Sequence, residues 1–356
     1  MHQPALDMTT KAGPMATANL PPELLDGSLP ARAVEQAIER AEPGRGRLAN
    51  APADIPARGW RDILWRVFES SLEDRVLSLA GGMAFFCLLA LFPGLSAMVT
   101  LYGLIADSST INSHLSGLAF VLPAGAFELI ADQVNLAVRA SSGTLSFSFA
   151  LSFLFALWSA NAGIKATIDG LNVAYGERET RSFIALNVES LIFTFLGIAA
   201  GIGAIVFIVA VPIAFQVLEV GGASEAWIKI LRWPVLGFFV WIALAILYRF
   251  GPCREQPKWR WVTWGSTVAA ILWILTSISF SWYVSSFGSY DRTYGALGAI
   301  IGFMTWIWLS ATMILIGAEL NAEMEHQTAR DSTTGAAKPM GKRGAMVADT
   351  IGERVD

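Results

Sequence analysis

Asn161, Lys165 and Asp169 stand four residues apart, so on a helix they share one face. Glu319 and Glu323 repeat that spacing, with Asn321 between them and turned away. Arg249 closes one long apolar block, and Asn187 and Glu189 precede another. Brought to one depth, Asn161, Lys165, Asp169, Arg249, Glu319 and Glu323 would form a polar pocket for an ion or a lipid headgroup. The same side chains would serve equally as interhelical hydrogen bonds and ion pairs that fix packing, because charges near helix ends are commonly solvated or snorkelled. No carboxylate falls at the centre of an apolar block, which speaks against a proton or ion relay there.

Other chemistries lack their residues. A metal-dependent hydrolase needs clustered His and Asp ligands, whereas the three histidines, His2, His114 and His326, are isolated. Cys87 lies inside an apolar block and Cys253 in a basic loop, and two free thiols are expected. There is no phosphate-cradling lysine loop; Gly-rich stretches such as Gly201-Ile202-Gly203 lie within apolar blocks. No catalytic, metal-binding or cofactor-binding residue is expected, and no enzyme. A net charge of −4 gives no support to nucleic acid as a partner.

These polar residues are set among long greasy segments. Charged residues make up 15% of the chain against about 25% in soluble domains, and mean hydropathy is +0.51. Six stretches hold no Asp, Glu, Lys or Arg: 76–106, 140–164, 190–218, 233–248, 261–290 and 293–318. A helix crossing a hydrocarbon core of ~30 Å needs about 20 residues, and only a helix satisfies its backbone polar groups within one segment. The fold class is therefore all-α: a polytopic membrane bundle with spans near 79–105, 143–164, 190–216, 232–249, 262–287 and 295–318. The short fourth span would rely on Arg232 and Arg249 snorkelling into the headgroups. Pro93 and Pro212 should kink or break their helices. Gly197-x-x-x-Gly201 and Gly298-x-x-x-Gly302 invite close helix approach, chiefly within the bundle.

Outside the spans the chain reads differently. Residues 1–57 hold eight of the fifteen prolines and are expected to be a disordered arm, with one short helix where Val34 and Ile38 sit four apart. The tail, 327–356, is polar and rich in small residues, and disorder is expected there too. Between the first two spans, 107–140 reads as an external loop whose later part is amphipathic, with Phe127, Ile130, Val134 and Val138 on one face. Eleven basic residues near span ends fall before the first span and in the even connections, against four in the odd ones. The positive-inside rule then places both ends in the cytoplasm. Trp259, Trp261 and Trp264, and Trp227 and Trp233 opposite, suit an aromatic belt.

Three blocks resemble a known family. AGGMAFFCLLALFPGLSAMVTLYGL (80–104), WSANAGIKATIDGLNVAYGERETRSF (158–183) and YGALGAIIGFMTWIWLSATMILIGAELNAEME (294–325) look like the YihY/virulence-factor BrkB family, historically labelled ribonuclease BN. The closing GAELNAE is the most specific of these. The resemblance covers residues 60–325 and implies a six-span protein of the bacterial inner membrane. The expected function is a transporter or flippase-like protein for a lipid or other amphiphile of the cell envelope. The alternative is a non-catalytic scaffold serving envelope integrity. Membrane lipids are the expected partners, with a homo-oligomer or envelope proteins as further ones.

Overall fold

The computed structural model describes residues 31–102, 131–132, 147–217, 223–286 and 296–355. The described chain is α-helical; its one β feature is an isolated bridge between Pro257 and Thr333. Two helices precede the bundle, α1 (Ala31–Ala41) and α2 (Ala57–Glu73), with a single 3-10 turn at Pro52–Asp54 between them. Six long helices follow: α3 (Val76–Tyr102), α4 (Phe147–Ala174), α5 (Phe183–Val217), α6 (Ala223–Phe250), α7 (Trp259–Ser286) and α8 (Ala296–His326). A last turn, α9, spans Met346–Asp349. Five of the long helices are long and apolar enough to cross a membrane; the apolar part of α6, Pro234–Phe250, is shorter.

Each apolar block has become a helix, and several helices outrun their blocks. Helix α4 continues past residue 164 to Ala174, where Gly176 (φ +66) turns the chain and Glu177 N–H closes on the Asn172 carbonyl at 2.7 Å. Helix α6 begins at Ala223, so the fourth rod gains its length from its leading end. Neither Pro93 nor Pro212 breaks its helix: α3 and α5 run through them, and α6 likewise carries Pro234. A membrane helix tolerates the missing donor because neighbouring groups re-satisfy the freed carbonyl. The external loop lies outside the described residues except for Ala131 and Asp132, which are helical.

Helix α8 is the axis of the bundle, packing on α2, α3, α4, α7 and α9. Its crossing with α7 is closest at Gly265 and Gly317. A Cβ on Gly265 would stand 2.4 Å from the Gly317 carbonyl, and one on Gly317 would stand 2.5 Å from both the Ala269 Cβ and the Tyr248 hydroxyl. Asn321 completes the joint by accepting the Gly265 N–H at 2.9 Å. Gly197, Gly201 and Gly302 of the GxxxG pairs do not play this part: among the described residues, no other segment comes within 4 Å of a Cβ on any of them. For Gly197 and Gly201 the reason lies in the position of α5, which packs on α4 and α6 and leaves Ile192, Phe195 and Leu196 exposed on its outer face.

The tail and the later part of the arm are folded, contrary to the disorder their composition suggests. Together with α2 they cap one end of the bundle. Ile38 of α1 packs with Ala329 and Ile351 of the tail, with Val34 against them. Composition misled because the cap draws its order mainly from arginines binding backbone carbonyls rather than from apolar periodicity. Arg47, fully buried, donates to the carbonyls of Gln327 (3.2 Å) and Gly352 (2.8 Å) and pairs with Glu42. Arg343 donates to the carbonyls of Ala329 and Ala348 at 2.7 and 2.6 Å. The arm, the tail and the connections after α4 and α6 all lie at this end, joined by Met346 N–H to Glu177 and Glu255 N–H to the Gly344 carbonyl.

Candidate functional site

The six polar residues singled out in the sequence are placed in several separate settings. Lys165 reaches Asn187 on α5, its Nζ 2.5 Å from Oδ1. Asp169, on the same helix, is exposed. Asn161 is buried and its Oδ1 has no hydrogen-bond partner among the described residues. Glu323 takes Arg66 of α2 at 2.5 Å, with His326 at 3.6 Å and Ser70 at 3.4 Å. Glu319 is buried in the core on the side of Tyr175: burial raises that phenol well above its ordinary range, and the Glu325 and Glu319 carboxylates push the same way. Glu323 and Lys165 thus serve in joints between helices.

The GAELNAE block is now legible as packing. Ala318, Glu319, Leu320, Asn321, Ala322 and Met324 are all at most 4% exposed, so this stretch is surrounded on every side. Glu325 follows it and pairs with Arg254 at 2.7 Å, neither side chain reaching solvent. That ion pair ties four segments together, because Glu325 also accepts the Ser332 hydroxyl at 2.7 Å and Arg254 stacks over the Tyr175 ring at 4.9 Å. Trp261, expected in an aromatic belt, is 1% exposed and belongs to the core with Leu320 and Met324. Trp264 does sit outside, against Trp60 at 5.7 Å.

Of the six, Arg249 lines a cavity among the described residues. A groove of about 760 Å3 opens between the start of α5 and the end of α6, beneath the connections and next to Gly344 of the tail. Its lining is apolar at Ile192, Phe193, Leu196, Ile246 and Phe250 and ionic at Arg181, Glu189, Arg249, Glu255 and the buried Arg254. Arg249 does not snorkel. It is 9% exposed, lies over the Trp259 ring at 4.4 Å and donates to the Pro257 carbonyl at 2.6 Å. Arg181 binds Glu179 at 2.6 Å, the Gly251 carbonyl at 3.2 Å and Glu189 as a third partner. Its hydrogen bonds pull the Glu179 carboxyl down to about 2. Cys253 accepts from the Thr180 N–H at 3.5 Å, and both cysteines are free.

Sequence reading noted Arg249 and Glu189 but did not pair them with Arg181 or Arg254. Those two lie in connections, where basic residues were weighed only as orientation signals. Among the described residues, no three His, Cys, Asp or Glu side chains are placed to hold a metal ion.

Comparison with known proteins agrees with this architecture. The family model for virulence factor BrkB matches residues 67–341, from α2 through the last span and into the folded tail. The chain belongs to the virulence factor BrkB family. The ribonuclease-like protein YfkH of Bacillus subtilis is 34% identical over 257 residues, 69% of this chain and 88% of that protein. A UPF0761 membrane protein of Vibrio parahaemolyticus is 28% identical over 265 residues, 72% and 79% of the two chains. One from Xanthomonas campestris is 24% identical over 268 residues and is covered over 60% of its length. No solved structure matches. This BrkB-family chain is thus a multi-pass membrane protein, and spans made of helices rather than a barrel suit the bacterial inner membrane.

Proposed function

We propose that the chain binds an amphiphile of the cell envelope in the groove between α5 and α6 and carries it between leaflets, without covalent chemistry. One observation carries this reading: ionic and apolar side chains line one cavity on the helix whose outer face is exposed. A lipid needs both environments, its headgroup among charges and its chains against hydrocarbon. The eleven-to-four bias of basic residues supports a cytoplasmic capped end, so loading would occur from the inner leaflet. The test is reconstitution of purified protein into liposomes with fluorescently labelled lipids. Movement faster than in protein-free liposomes, lost on filling the groove with Leu196→Trp, supports the proposal; no movement of any labelled lipid overturns it.

A second reading, a scaffold for envelope proteins, is favoured by a separate feature, the folded cap. A capped end offers a rigid surface for other proteins, and that role needs no lipid in the groove. Unchanged envelope phenotypes with Leu196→Trp and loss of them on removing the tail would favour the scaffold.

A further inference from the structure

Three arginines line the groove, and one is bound differently from the other two. Arg181 is held by Glu179 and Glu189, and Arg254 by Glu325. No carboxylate of the described residues lies within ion-pairing distance of Arg249. Its Nη1 is committed to the Pro257 carbonyl, and its flat face to Trp259 and Phe250. Its Nε is buried and has no hydrogen-bond partner among the described residues. A charged donor taken from water and left without an acceptor is costly, and stacking on a ring holds the charge in place without satisfying the N–H. With Nη1 tethered, Nε and Nη2 remain as a side-on fork. That fork matches two oxygens of one phosphate.

Resting on the groove reading above, we propose that Arg249 is the residue that binds the phosphate of a phospholipid. The phosphate sits on the Nε–Nη2 edge, and an acyl chain runs along Ile192 and Leu196, which line the groove and remain 53% and 52% exposed on the outer face of α5. The apolar part of the lining is what selects a lipid over a free anion. Arg181, already holding two carboxylates, leaves the unshared charge to Arg249.

The test offers the full-length protein, in a neutral detergent, equal amounts of phosphatidylglycerol and a galactolipid with the same acyl chains. Native mass spectrometry reads which lipid is retained. The wild type should favour phosphatidylglycerol by about ten-fold, the scale of a charge-assisted hydrogen-bonded pair. Arg249→Lys keeps a charge and a donor for the Pro257 carbonyl but lacks the fork, so the preference should fall to parity. Leu196→Trp should lower retention of both lipids together; no effect would overturn the acyl seat. Equal retention by the wild type, or an unchanged preference in Arg249→Lys, would overturn the role of Arg249 while leaving the groove occupied. Retention of neither lipid by folded wild type would overturn the groove reading as well. Displacement of phosphatidylglycerol by inorganic phosphate would make the ligand a free anion and overturn the phospholipid.

Discussion

Arg254 and Glu325 stand 2.7 Å apart with both side chains shut off from water. Removing one member of such a pair leaves the other charge buried and uncompensated, at a cost of about 3–5 kcal/mol. Glu325→Gln should therefore lower the thermal midpoint in detergent steeply, while Glu255→Gln, in the exposed pair with Lys338, should barely move it. Glu179 answers to pH. The Arg181 hydrogen bonds depress its carboxyl to about 2, below the ordinary 4.5. A depressed acid stabilises the fold above its unfolded value and loses that contribution as pH falls through the folded value. The melting difference between wild type and Glu179→Gln should then be full above about pH 4.5 and should shrink towards pH 2. The sequence showed these residues as charges but not as partners, since Arg254 and Glu325 are 71 positions apart.

Among elements, the crossing of α7 and α8 and the outer face of α5 use glycine in opposite ways. Gly265→Ala would force a methyl to within 2.3 Å of the Asn321 Oδ1 and 2.4 Å of the Gly317 carbonyl, so the helices must separate. Overpacking of this kind costs about 1–3 kcal/mol, and the variant should insert yet melt earlier. Gly197→Ala meets no other segment of the described residues within 4 Å and should leave the fold unchanged. Thermal melts of the two variants side by side make the check. GxxxG spacing does not point to this joint, because it records glycines on one helix, whereas Gly265 and Gly317 sit on different helices and meet only after folding. The rods themselves were legible, since hydrocarbon selects length and apolarity and both are written locally. Their polar extensions, such as 165–174 of α4, were not, because a helix that leaves the bilayer for a protein cap has no need to stay greasy.

For the whole molecule, the cap is the feature the sequence concealed. Arg47 binds carbonyls 280 and 305 residues away, and a backbone carbonyl leaves no trace in composition. Removing residues 328–355 should strip Arg47 and Arg66 of the Gly352 and Glu353 carbonyls. Trypsin cleavage at Arg45 and Arg47 should then accelerate well above the intact rate, with the spans still inserted. The helix before the first span joins the cap by one face, Asp62, Ile63, Arg66 and Val67, while Leu64, Trp65, Phe68 and Leu72 point outward. An outward apolar face on a helix outside the spans suits the headgroup boundary.

That clasp also dictates an order of assembly. Arg47 and Arg66 leave the ribosome long before residues 352 and 353 exist, so until then the early helices lack those carbonyl partners. Closure must wait until α8 has been made, because the carbonyls that latch the cap follow it in the chain. Reporter proteins fused at internal cut points would thus record an unlatched intermediate, and its orientation need not match that of the completed chain.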